Sequence, residues 1–216
     1  MGNKARLPAE SLIKRSFTVS DFATNDDNNG HIEGHAAVFE QKANIGGYFY
    51  EVIERGAFDN CDFTDVPFLI NHDESRIPIA RSRRNNGSST MTIKVDDIGL
   101  YISADLDLEN NPEARSLHSA VKRGDIDGMS FCFAIRDEEW TDQNTEMPIR
   151  TIKSIAKVFE VSAVNFAAYS NTDINVRSLD NDKLALENVR KTHRAGQLGK
   201  LELEKQKIKI IMEVLK

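Results

Sequence analysis

Four side chains in this sequence have the chemistry for acyl transfer, and they lie far apart along the chain. Ser130 sits in GDIDGMSFCF (124–133), a hydroxyl within a run that otherwise reads as core, and Cys132 follows two residues later. A hydroxyl or thiol attacks a carbonyl efficiently only when a base takes its proton. His72 opens the polar loop after the apolar run VPFLI (66–70). A histidine at a strand end can reach a hydroxyl on a neighbouring strand and serve as general base near neutral pH. Glu160 stands inside VFEVSAVNF (158–166), where a carboxylate is costly unless it faces water or is paired. Paired with His72, it would orient the imidazole and stabilise its protonated form. Each residue also has a plainer reading: a serine bonded to nearby backbone, a histidine in a surface turn, a glutamate on the wet side of an edge strand. Arg76, Arg81, Arg83 and Arg84 follow His72 and either line a site or are simply solvated.

The elements that must carry these residues are mostly strands. A period-2 reading of 128–135 puts Gly128, Ser130, Cys132 and Ala134 on one face and Met129, Phe131, Phe133 and Ile135 on the other. The large face is a core anchor; the small one admits a packed helix or a substrate carbonyl. A G-x-S-x-G nucleophile elbow needs a strand-to-helix turn just after the serine. Here β-prone residues continue, and Cys132 replaces the second glycine, so an α/β-hydrolase site is disfavoured.

From His31 to about Leu179, β-branched and aromatic runs separated by turn residues predict a strand-rich domain, with DDIG (96–99) as a hairpin connection. GAFDNCD reads as a short helical turn, and NNGSS (85–89) and TDQNTE (141–146) as surface loops. A helix is predicted over 112–123, with Asn111 as cap, Pro112 in the first position, Glu113 near the start, Lys122 and Arg123 in the last turn and Gly124 as the left-handed stop. It leads the chain directly into the Ser130 strand. Residues 1–30 read as a flexible N-terminal leader. After Leu179 the text turns rich in Lys, Glu and Leu and predicts two helical pieces, 182–194 and 198–215, with Leu201, Ile208, Ile211 and Leu215 broadly on one face. That segment, 180–216, reads as a tail or partner helix.

A chain of 216 residues with 40% hydrophobic and 29% charged residues is an ordinary soluble globular protein with one good core. A formal charge of -6 argues against a dedicated nucleic-acid binder. No apolar run reaches the ~18 residues needed to span a bilayer, and the polar N-terminus does not read as a signal peptide. Neither Cys61 nor Cys132 has a closely spaced partner, and the spacing of His31 and His35 beside glycines reads as loop histidines, not metal ligands.

The succession GHAAVFE, EVIERGAFDN, NHDESRIPIARS, DDIGLYISADL, RGDIDGMSFCF and FEVSAVNFAAY resembles the prohead (procapsid maturation) serine proteases of tailed bacteriophages, a family grouped with the herpesvirus assemblins. The resemblance covers roughly residues 31–178. It implies a mainly β fold with helices (α+β), an assemblin-like β-barrel surrounded by helices, with the protease domain at 31–179. His72 matches the family's N-H-D histidine and Ser130 its G-x-S-F serine, while E-V-S points to Glu160 as third member. Cys132 departs from the glycine often found at that position. The resemblance implies a serine endopeptidase without cofactor or metal. It would act on the major capsid protein and scaffold segments, and on itself, in the host cytoplasm inside an assembling procapsid, and it leaves room for a homodimer. Arg81 is a candidate for oxyanion or substrate support. Two other readings stay open: a non-enzymatic assembly protein, and a cysteine acyl-hydrolase using Cys132.

Overall fold

A computed structural model describes residues 12–18, 21–24, 30–83, 86–165 and 176–214; Arg84, Asn85, Leu215 and much of the expected leader lie outside these residues. In chain order the elements are β1 (Leu12–Thr18), β2 (Ala23–Thr24), β3 (His31–Val38), β4 (Ala43–Ile45), β5 (Phe49–Ile53), β6 (Val66–Ile70), β7 (Ala80–Ser82), β8 (Met91–Val95), β9 (Gly99–Asp105), α1 (Pro112–Arg123), β10 (Gly128–Thr141), β11 (Ile149–Val164) and α2 (Val176–Val214). The fold is mainly β with helices, one of them C-terminal. Among the described residues the strands divide between two sheets, one ordered β1-β10-β11-β5-β4 with β6 and β7 joined to β11, the other β2-β3-β9-β8. Residues from both sheets and from α1 share one core, including Ile32, Phe68, Leu100, Leu117, Phe131 and Val161.

β11 is the spine of the larger sheet. β10 runs antiparallel to it from Gly128↔Val164 to Thr141↔Ile149. On the other edge, the start of β11 pairs in parallel with β5 and its end with β6, Val161–Ala163 against Phe68–Ile70. The chain between β5 and β6 stays on that edge: Ile155 N–H donates to Ala57 O at 2.8 Å and Asp62 N–H to Ala156 O at 3.0 Å. β6 therefore delivers residues 71 and 72 to the end of β11, which is where Glu160 lies. On the core side Met129, Phe131, Phe133, Val161 and Ala163 are fully buried, as the alternation in 128–135 predicts for β10.

α1 has the caps its sequence predicts. Asn111 Oδ1 accepts from the backbone of Glu113 (3.0 Å) and Ala114 (3.2 Å). Gly124 adopts φ 74°, the left-handed stop, and Asp125 N–H bonds Ala120 O at 2.8 Å. At 96–99 the expected hairpin joins β8 to β9, with Asp96 N–H bonded to Gly99 O at 3.0 Å.

Four expectations need correction. Residues 12–18, read as part of a loose leader, form β1, paired with β10 from Leu12↔Ala134 to Thr18↔Gly128. The two helical pieces after Leu179 are one helix of 39 residues. Its early part is not a free tail, since Asp182 is buried and Leu186 packs with Ile45, Phe49 and Trp140. His31 and His35 lie in strand β3, not in a loop. His31 Nδ1 pairs with Asp105 at 2.7 Å, and His35 lies between Asp21 and Asp96.

Asp182 is buried because it completes an ion cluster. Arg15 of β1 donates to Glu51 of β5 (2.5 and 2.9 Å) and to Asp182 (2.9 Å). Arg150 of β11 bonds Asp182 (2.9 Å), Glu51 (3.3 Å) and Glu138 of β10. Burial pushes Glu51 up, but the two guanidiniums outweigh it and hold the carboxyl below its usual range. The cluster ties the N-terminal strand and the C-terminal helix to the same sheet.

Candidate active site

The turn after β6 is shaped by two consecutive residues in the left-handed region, Asn71 (φ 51°) and His72 (φ 59°). Asn and His tolerate this region better than most residues. Two bonds fix the turn to the end of β11: Asn71 N–H to Ala163 O (2.9 Å) and Asn165 N–H to Asn71 Oδ1 (3.1 Å). The chain reverses, and the His72 ring returns to Glu160, Nδ1 to Oε1 at 2.5 Å.

Glu160 is 3% exposed on a strand flanked by β10 and β6, which removes the edge-strand reading. Its charge is compensated by partners. Oε1 meets His72, and Oε2 accepts from Ser162 Oγ at 2.5 Å. A register shift between Cys132↔Glu160 and Phe133↔Val158 leaves Phe159 without a counterpart on β10. Past this bulge Glu160 and Ser162 share a face, and Phe159 lines a cleft together with Glu160.

Ser130 belongs to the same sheet face, directly opposite Ser162 in the β10–β11 ladder, with Cys132 opposite Glu160. It is fully buried, and its Oγ donates to Arg15 O of β1 at 2.8 Å. Among the described residues no hydrogen bond joins Ser130 to His72. The structure thus brings His72 and Glu160 into contact and places Ser130 on their face, two strands across from β6, with its hydroxyl turned to β1. His72 Nε2 carries no hydrogen bond among the described residues.

Cys132 lines the cleft but is buried, and burial, reinforced by the Glu160 carboxylate, pushes its thiol up to about 12. A thiol in that setting is almost wholly protonated at neutral pH, which argues against the cysteine-hydrolase reading. Arg81 lines the same cleft of about 400 Å³ with Leu69, Pro78 and Glu160. Its guanidinium is gripped in bidentate fashion by Asp65 (2.7 and 2.8 Å). Asp73, beside His72, bonds Ser75 and Arg76. Sequence reasoning missed Ser162. The signal was in E-V-S, where period 2 puts the serine on the face of the glutamate.

The family model of the caudovirus prohead serine protease matches residues 18–185. The prohead protease of Enterobacteria phage HK97 is 27% identical over 154 residues, covering 70% of this chain. The matched region spans 61% of that relative's length. The solved structure of the bacteriophage T4 capsid assembly protease, gp21, aligns over 71% of this chain and 97% of its own, at 14% identity and a TM-score of 0.39. With its strand-rich region and its His72–Glu160 pair inside the matched residues, this chain belongs to the caudovirus prohead serine protease family.

Proposed function

We propose that this protein is a serine endopeptidase that cleaves capsid-protein and scaffold segments, and itself, as a phage procapsid matures. The observation that carries the reading is the His72–Glu160 hydrogen bond, formed on the sheet face that also bears Ser130. In the reaction, Ser130 Oγ bonds to the scissile carbonyl carbon while its proton passes to His72 Nε2. The C–N bond then breaks as Nε2 gives that proton to the leaving amine. Water bonds to the ester carbonyl carbon as the same nitrogen takes its proton, and the C–Oγ bond breaks with that proton returning to Ser130. Glu160 accepts the Nδ1–H throughout and compensates the imidazolium. Backbone N–H groups would stabilise the oxyanion. Arg81 lines the cleft as a substrate contact; an oxyanion role would require it to release Asp65.

In this reading the hydrogen bond from Ser130 to Arg15 O belongs to the resting enzyme. Catalysis requires the hydroxyl to leave that carbonyl for the histidine. The proposed reaction calls for no cofactor or metal. The proposed setting is the interior of the assembling procapsid in the host cytoplasm, with capsid and scaffold chains as partners and a homodimer compatible with the reading. The folded protease unit would take in β1 and the first turns of α2 besides residues 31–179. Incubating the purified chain with purified capsid-protein precursor, and sequencing new termini by mass spectrometry, tests the proposal. Defined cleavage sites support it; an intact precursor leaves the non-enzymatic assembly reading.

A further inference from the structure

Ser162 takes no part in the proton transfers above, yet it touches both residues that manage them. Its Oγ lies 2.5 Å from Glu160 Oε2 and 3.3 Å from the backbone nitrogen of His72. Together with the 2.5 Å bond between Glu160 Oε1 and His72 Nδ1, these contacts close a ring from the imidazole through the carboxylate and hydroxyl to the histidine's own main chain. The donor order is fixed. A backbone N–H can only donate, so Ser162 accepts from His72 and spends its one proton on Glu160, as an ionised carboxylate requires.

Two features make this hydroxyl more than a filler. Glu160 and Ser162 are both buried, and among the described residues Ser162 is the hydrogen-bond partner of Oε2. Among the described residues Ser162 also supplies the only hydrogen bond to His72 N, at the second of two left-handed residues whose conformation must be held from outside. We propose that Ser162 is a positioning residue that locks the Glu160 carboxylate and the His72 backbone into one unit, so that the imidazole presents Nε2 in a fixed direction. This rests on the reading of His72 as general base.

The test compares wild type with Ser162→Ala and Ser162→Cys, the second keeping the volume while donating only weakly. Two quantities are read: initial rates of cleavage of purified capsid precursor over a range of concentrations, and the low-field proton NMR resonance of the His72 Nδ1–H. Thermal unfolding identifies any variant that does not fold, leaving the other to decide. The expected result is a fall in kcat of about 10–100-fold, the size of one hydrogen bond to a charged group, with little change in KM and a shifted or broadened Nδ1–H resonance. A resonance identical to wild type overturns the proposal, whether or not kcat falls. Precursor cleavage by His72→Ala, run alongside, separates the two levels. If that variant cleaves normally, the catalytic reading of His72 fails, while the resonance in the Ser162 variants still decides whether Ser162 holds the pair.

Discussion

Glu160 Oε1 and His72 Nδ1 lie 2.5 Å apart although 88 positions separate the two residues in the chain. The parallel pairing of β6 on the end of β11 brings them together, and the left-handed turn at 71–72 aims the ring. Glu160→Gln keeps the shape and removes the charge. A fall in the rate of precursor cleavage of roughly 10²–10⁴-fold, with thermal unfolding changed little, is expected. A rate equal to wild type would make the pair structural.

The two cysteines are expected to be inert in the folded protein. Burial pushes Cys61 and Cys132 each up to about 12, leaving roughly one thiol in 10⁴–10⁵ ionised near pH 7.5. Iodoacetamide should label neither under native conditions and both in denaturant, and cleavage should survive the treatment. Loss of cleavage with label on Cys132 would restore the cysteine nucleophile.

Asp182→Asn tests whether α2 is part of the domain. The substitution takes a buried carboxylate away from Arg15 and Arg150. Breaking such a cluster is expected to cost roughly 3 kcal/mol and to lower Tm by roughly 6–12 °C. Truncation after residue 179, which removes Asp182 and buried Leu186, should destabilise the chain more. Truncation after residue 195 removes only residues exposed over 196–212 and should leave Tm near wild type.

Much of the candidate site was legible because each of its members breaks a pattern: a hydroxyl in a core strand, a glutamate in an apolar run, a histidine at a strand end. The cap residues of α1 were equally plain, since capping is local chemistry. What stayed hidden was nonlocal or polar. β1 (LIKRSFT) and the outer half of β10 (RDEEWT) carry too many charges to read as strands. Arg15 is buried because Glu51 of β5 and Asp182 of α2 pair with it, and Arg150 of β11 shares those two carboxylates. The extent of α2's packing was hidden for the same reason. The bulge at Phe159 gave no local signal, since nothing in VFEVSAVNF marks where the register with β10 shifts.

His35 gives a pH signature independent of catalysis. Burial pulls its ring towards the neutral form, but hydrogen bonds to Asp21 and Asp96 outweigh this and raise it above the ordinary value of 6.5. Its contribution to stability is therefore fully present below about pH 6.5 and is lost as pH rises through the folded value. The stability gap between wild type and His35→Asn, followed by urea unfolding, should narrow as pH rises above 6.5. A gap that widens over that range would mean the neutral ring is the one stabilised.

The most direct measurement of the central claim is precursor cleavage by Ser130→Ala, with thermal unfolding read on the same preparation. Ser130 shares its face with Glu160 and Ser162, and its hydroxyl contributes one hydrogen bond, to Arg15 O. Removing that oxygen should cost about 1 kcal/mol of stability. If Ser130 is the nucleophile, cleavage should fall at least ~10⁴-fold while the protein stays folded. Cleavage at the wild-type rate by folded Ser130→Ala would contradict the account.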